Sequence, residues 1–269
     1  MKIHFSWTIS TSLSMQLESE IMIASTKGMN CCHTISVQEA QFNKVDPKLK
    51  NFADIVSYKP IPDLSPPWTL TPKWDIEPKG DIVIGVDADV MVWNQKLVIE
   101  KAEECLRTKK ICGTIGYAEP FPLSEWKRLF EKYNMEENFN YKYNNTKTLS
   151  PFYINNGVVM MPSEMLGAFR SSYKKWLLEL NKTHKNLYYL CQVANTFAIK
   201  ECKFPVEAMP DVFNYTEIDN PDLSNLNNVI FLHYNKTREE IRRKGINGIT
   251  NLKIKKKILR LFDHNLTMI

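Results

Sequence analysis

Residues 80–93 read GDIVIGVDADVMVW, and the fold follows from how this stretch can be buried. Ile82, Val83, Ile84 and Val86 form a nearly continuous apolar run, the pattern of a central strand covered on both faces. Asp87 and Asp89 end it. A strand sends side chains i and i+2 to the same side, so the spacing predicts two carboxylates that can share one cation. Uncompensated, such a pair is costly, because neighbouring like charges raise one another's pKa unless something positive neutralises them.

Upstream of this strand, residues 2–8 (KIHFSWT) predict an opening strand and 14–26 (SMQLESEIMIAST) a helix with Met15, Leu17, Ile21, Ile23 and Ala24 along roughly one face. Residues 53–58 (ADIVSY) are a further strand candidate, followed at 59–80 by a loop that its prolines keep irregular but stiff. Downstream, 95–107 reads as an amphipathic helix, 111–117 as a strand and 124–133 as a helix capped by Ser124. After a polar loop at 138–148 come a strand at 152–161, a helix from Ser163 to about Leu180, and a helix at 187–200. FPVEAM (204–209) and NVIFLHY (228–234) are late strands. Strands alternating with helices, with few hairpin signals and no internal repeat, predict an α/β layered fold.

At 269 residues, with 43% hydrophobic and 24% charged side chains, the chain can build one core, which argues against disorder. The six cysteines include no CxxC pair, and Cys31 and Cys32 are adjacent, a poor pattern for a zinc set or a disulfide framework. They read as buried thiols of a reducing compartment. The N-terminal residues fit a strand better than a secretory signal, and no run approaches the ~18 apolar residues of a membrane helix. A cytoplasmic location is therefore expected. The sequons starting at Asn144, Asn181, Asn214, Asn235 and Asn265 then read as chance triplets. Net charge is +5, yet Lys236–Arg260 carries ten basic residues against Glu239 and Glu240. Such a segment is either a solvated helical face or a peripheral contact for an anionic membrane; nucleic acid is not expected as a partner.

The run VIGVDADVMV resembles the hhhhDxD motif of GT-A glycosyltransferases, in particular family 8, whose carboxylates bind Mn²⁺ or Mg²⁺ against the diphosphate of a nucleotide sugar. Three further segments resemble that family in the same order. YINNGVVMM (153–161) is similar to the strand that lines the sugar pocket, which implies substrate-binding roles for Asn155, Asn156 and Gly157. CQVANTFAI (191–199) resembles the helix that presents a polar side chain to the reacting sugar; Gln192 matches, while Cys191 stands where the family has an acid. NVIFLHYN (228–235) resembles the late segment whose histidine, here His233, completes the metal site. TPKWDIEPKGD (71–81) resembles the lead-in that carries a basic residue to the donor phosphates, with Lys73 as candidate, Lys79 as alternate, and Asp87 and Ala88 beside the donor.

The resemblance implies a Rossmann-like, mixed but mostly parallel sheet flanked by helices, with a catalytic domain at 1–236 and a basic, partly helical tail at 237–269. It also implies transfer of a sugar from a nucleoside-diphosphate donor, a UDP-sugar first, to a carbohydrate, lipid or protein hydroxyl. An inverting reaction needs a carboxylate base, for which Asp211 is the candidate beside Glu119 and Glu207. Gln192 leans instead toward retention. Two rivals stay open. A haloacid-dehalogenase-like phosphatase would use Asp87 as nucleophile, but no later acidic pair ends an apolar strand. A non-catalytic nucleotide-sugar-binding protein could keep the same fold.

Overall fold

The computed structural model describes residues 1–60, 72–143, 145–184, 188–220 and 226–263. The Pro-rich stretch read at 59–80 therefore lies outside the described residues from 61 to 71, as do the sequon asparagines Asn144 and Asn265. In chain order the elements are β1 (Ile3–Ile9), α1 (Leu13–Ser25), β2 (Cys31–Gln38), β3 (Asp54–Tyr58), β4 (Ile82–Val86), β5 (Val90–Val92), α2 (Gln95–Thr108), β6 (Ile111–Ile115), α3 (Leu123–Lys132), β7 (Tyr141–Lys142) and β8 (Leu149–Ser150). They continue with β9 (Ile154–Pro162), α4 (Ser163–Thr183), α5 (Leu190–Glu201), β10 (Val206–Met209), β11 (Asn214–Thr216), β12 (Phe231–His233), α6 (Asn235–Lys244) and α7 (Leu252–Asp263).

Among the described residues the main sheet has seven strands in the order β10-β6-β9-β4-β1-β2-β3. All neighbours run parallel except β9, which is antiparallel to both β4 and β6. The mixed, mostly parallel α/β sheet expected from the sequence is thus present. β4 lies at its middle, and its side chains alternate between two cores: Ile82, Ile84 and Val86 enter one, Val83 the other. That double burial is why the run shows no polar alternation. Each of these side chains is fully buried, contributing roughly 1.5–3 kcal/mol.

A small second sheet, β11-β12-β5, branches off just past Asp89. β12 runs antiparallel to β5 with His233 opposite Val90. The basic terminal segment continues this region: Ile241, Ile249, Ile254 and Ile258 join Ile21, Met91 and Leu232 in a third apolar cluster. α6 and α7 both contact α1.

Two local readings change. The helix expected to be capped by Ser124 starts earlier, at Leu123, and Pro122 holds the cap position with no side-chain bond. Its carbonyl accepts from the amides of Glu125 and Trp126, so Ser124 already sits in the first turn. Strand β2 was not anticipated, although Thr34, Ile35 and Val37 are β-formers.

Candidate active site

β4 stops at Val86, so Asp87, Ala88 and Asp89 form a turn closed by the Val90 amide donating to the Asp87 carbonyl at 3.2 Å. The two carboxylates converge through this turn, not through the pleat that the sequence suggested. They sit at the carboxyl end of a central strand, where open α/β sheets gather ligands. The Asp87 amide donates to the Gly157 carbonyl of β9 at 3.0 Å, which ties the turn to the neighbouring strand. The Tyr234 amide donates to the Asp89 carbonyl at 3.0 Å and fixes β12 alongside. His233 is thereby carried to Asp89: its Nε2 lies 3.2 Å from Asp89 Oδ1.

Asp87, Asp89 and His233 each offer a ligand atom, and these atoms all lie within 4.8 Å of one another. Two carboxylate oxygens and an imidazole nitrogen are a donor set that can hold a divalent cation. His233 Nδ1 is buried without a hydrogen-bond partner, and a Cβ on residue 157 would stand 2.7 Å from it. Gly157 is therefore demanded by the imidazole, and by Asn155 Oδ1 and Asn214 Nδ2, each 2.9 Å from the same point.

Each carboxylate already has a cationic partner. Trp74 packs its ring where a side chain on Gly85 would be, and this brings the preceding Lys73 to Asp87. Lys73 Nζ donates to Asp87 Oδ1 at 2.9 Å and to the Asn156 carbonyl at 2.6 Å, and it is 1% exposed. Arg238, from α6, donates to Asp89 Oδ2 at 2.7 Å. Burial pushes the Asp89 carboxyl up, but His233 and Arg238 outweigh it and hold the group well below the usual carboxylate range. Burial also pulls the His233 imidazole down, and Asp89 reverses that, leaving it above its ordinary value.

These groups open into a cleft of about 560 Å³. Of the residues anticipated from sequence, Lys73, Asp87, Ala88, Asp89, Asn155, Gln192 and His233 line it. Asn156 is buried, its side chain accepting from Asn195, and acts on the site through its carbonyl. Asp211 opens a short turn before β11 and is not among the lining residues; its charge, after burial, helps push the Tyr117 hydroxyl at the cleft up to about 12. Glu119 bonds Thr148, Glu207 pairs with Lys110 and Lys79 with Asp54, all away from the acidic pair.

Sequence reasoning missed Arg238, Arg242 and Glu18, which also line the cleft. Glu18 is fully buried on α1, with Oε1 3.1 Å from Arg242 Nε and Oε2 without a partner. Burial raises its carboxyl to about 7 against the opposing pull of Arg242. A second cavity of about 610 Å³ lies at the amino ends of the strands, between Met29, Cys31, His33, Phe52 and Phe262, and holds none of the anticipated residues. The Cys31 and Cys32 thiols there are pushed up by burial, so they stay protonated.

No protein-family model matches the chain, and no curated protein matches it in sequence. Solved structures do match in three dimensions. Mouse xyloside xylosyltransferase 1 in its apo form aligns over 87% of this chain and 98% of its own, with 13% identity and a TM-score of 0.50. The galactosyltransferase LgtC in complex with donor and acceptor sugar analogs aligns over 96% and 95%, with 12% identity and a TM-score of 0.56. The glycosyltransferase GlyE of Streptococcus pneumoniae TIGR4 aligns over 98% of this chain and 63% of its own, with 12% identity and a TM-score of 0.53. The chain has the fold of the GT-A glycosyltransferases.

Proposed function

We propose that this protein is a metal-dependent glycosyltransferase that moves a sugar from a nucleoside diphosphate, a UDP-sugar first, to an acceptor hydroxyl. The observation that carries this reading is the convergence of Asp87, Asp89 and His233 at the carboxyl edge of a GT-A sheet. Asp87 and Asp89 would hold Mn²⁺ or Mg²⁺, with His233 contributing its neutral ring. The cation, when bound, supplies a Lewis acid for the charge that develops on a departing diphosphate. Lys73 keeps Asp87 aimed and cannot itself reach far, since it is buried against Asn156. The amides of Asn155 and Gln192 face the cleft and suit sugar hydroxyls. Gln192 is the group we place nearest the reacting sugar. Asp211 does not line the cleft and so lacks support as a base, and the likeness of the fold to solved glycosyltransferases speaks against phosphatase chemistry.

A screen of nucleotide sugars for Mn²⁺-dependent hydrolysis tests the assignment. Release of a nucleoside diphosphate that stops in excess chelator, and in Asp89→Ala, is the expected result. Unchanged turnover in chelator would end the metal reading.

We extend the proposal to a domain at 1–236 carrying the site, with 237–269 completing it. Among the described residues no helix is long and apolar enough to cross a membrane. The outer face of α7 presents Leu252 and Leu259 beside Lys253, Lys256 and Arg260, which fits peripheral contact with an anionic membrane. Truncation would be a poor test, because Ile254 and Ile258 are core residues. Reversing Lys253, Lys256 and Arg260 to Glu should abolish co-sedimentation with phosphatidylserine vesicles; equal binding would remove the membrane from the account.

A further inference from the structure

The acidic pair is neutralised before any cation arrives, and its two neutralising groups differ in freedom. Lys73 is enclosed and bonded to a backbone carbonyl as well as to Asp87. Arg238 is 30% exposed by its side chain, lines the cleft, bonds one oxygen of Asp89, and otherwise rests on Glu239, itself 48% exposed. On Asp89, Oδ2 accepts from Arg238 and Oδ1 lies against His233. The Asp87 side chain is 27% exposed and lines the cleft. A cation bridging the two acids therefore competes with Arg238 for the charge of Asp89.

Charge decides when that exchange is favourable. Lys73 meets Asp87, Arg238 meets Asp89 and Glu239, and Arg242 meets Glu18 and Glu239, so three basic side chains already share the acidic groups around the cleft. A bare dication would add its full charge beside these basic side chains at low dielectric, next to a displaced guanidinium. A dication bound to a diphosphate diester brings equal negative charge with it. It also offers the freed guanidinium two oxygens in the fork geometry that arginine prefers.

We propose that Arg238 is an exchangeable counter-ion: it occupies Asp89 in the free protein and passes to the diphosphate when cation and donor enter together. It is a positioning residue whose consequence is cooperative binding of Mn²⁺ and nucleoside diphosphate. This rests on the glycosyltransferase reading of the same site, and it goes further by fixing the order of events there.

The test is a titration of Mn²⁺, followed by the electron paramagnetic resonance signal of the free ion, with and without UDP, on the wild-type chain, Arg238→Gln and Arg238→Lys. UDP should tighten Mn²⁺ binding to the wild type by about tenfold or more. Arg238→Gln should bind Mn²⁺ alone about tenfold tighter than wild type and lose most of the UDP effect. Arg238→Lys should retain the UDP effect in part, with wild-type circular dichroism in both variants. If Arg238→Gln binds Mn²⁺ no tighter, or keeps the full UDP effect, the exchange is wrong while the metal site stands. If the wild type binds no Mn²⁺ even with UDP, the cation site fails, and the exchange with it.

Discussion

His233 reaches the acidic pair only because residue 157 has no side chain. Its Nδ1, the Asn155 carbonyl oxygen and the Asn214 amide nitrogen crowd the space that a Cβ would fill. Gly157→Ala should therefore push the imidazole off Asp89, weaken Mn²⁺ binding about tenfold, and cost about 1–3 kcal/mol of stability through overpacking. Thermal melts and a Mn²⁺ titration read both; wild-type affinity in the variant would show that His233 is not a ligand. At this scale the acids were legible, because an apolar strand ending in charge is a pattern one sequence displays, and the histidine was legible only through the family resemblance. Lys73 was legible as a site residue but not as the partner of Asp87, since that depends on Trp74 packing over Gly85. Arg238 and Glu18 carried no signal: an arginine in a basic run and a glutamate on a helix show their direction only after folding.

At the scale of elements, the basic terminal segment changes most. It reads as a solvated or membrane-facing tail, yet α6 turns Arg238 and Arg242 into the cleft, and α7 buries Ile254 and Ile258 beside α1. The apolar spacing of α7 was visible; which surface it covers was not, because the partner face on α1 lies more than 200 residues away. The junction of α1 and α6 carries Glu18, and burial raises that carboxyl from an ordinary 4.5 to about 7. Between those values the folded chain keeps a proton that the unfolded chain has released, so stability falls as pH rises through that window. Glu18→Gln removes this dependence. Melting the two proteins from pH 5 to pH 8 should shift the difference in the variant's favour by up to roughly 3 kcal/mol. Parallel pH profiles would mean that Glu18 ionises normally. Strand β2 went unread because its polar start, CCH, masks the β-branched residues that follow.

Across the whole molecule, β4 and β9 meet at the middle of the sheet, and the chain returns from residue 233 to close the site begun at residue 87. The α/β order was readable because double burial erases polar alternation in β4 and β9, and the mixed sheet was implied by the family resemblance. The side branch β11-β12-β5 was not, since three-residue strands are too short to show a period. The proposed function depends on a cation seated among Asp87, Asp89 and His233. Crystals grown with Mn²⁺ and UDP, with diffraction recorded near the manganese absorption edge, test this directly. The account predicts one anomalous peak within about 2.6 Å of oxygens from both acids and of a His233 ring nitrogen, with Arg238 turned from Asp89 to the diphosphate. A peak elsewhere, or none with UDP bound in the cleft, would contradict it.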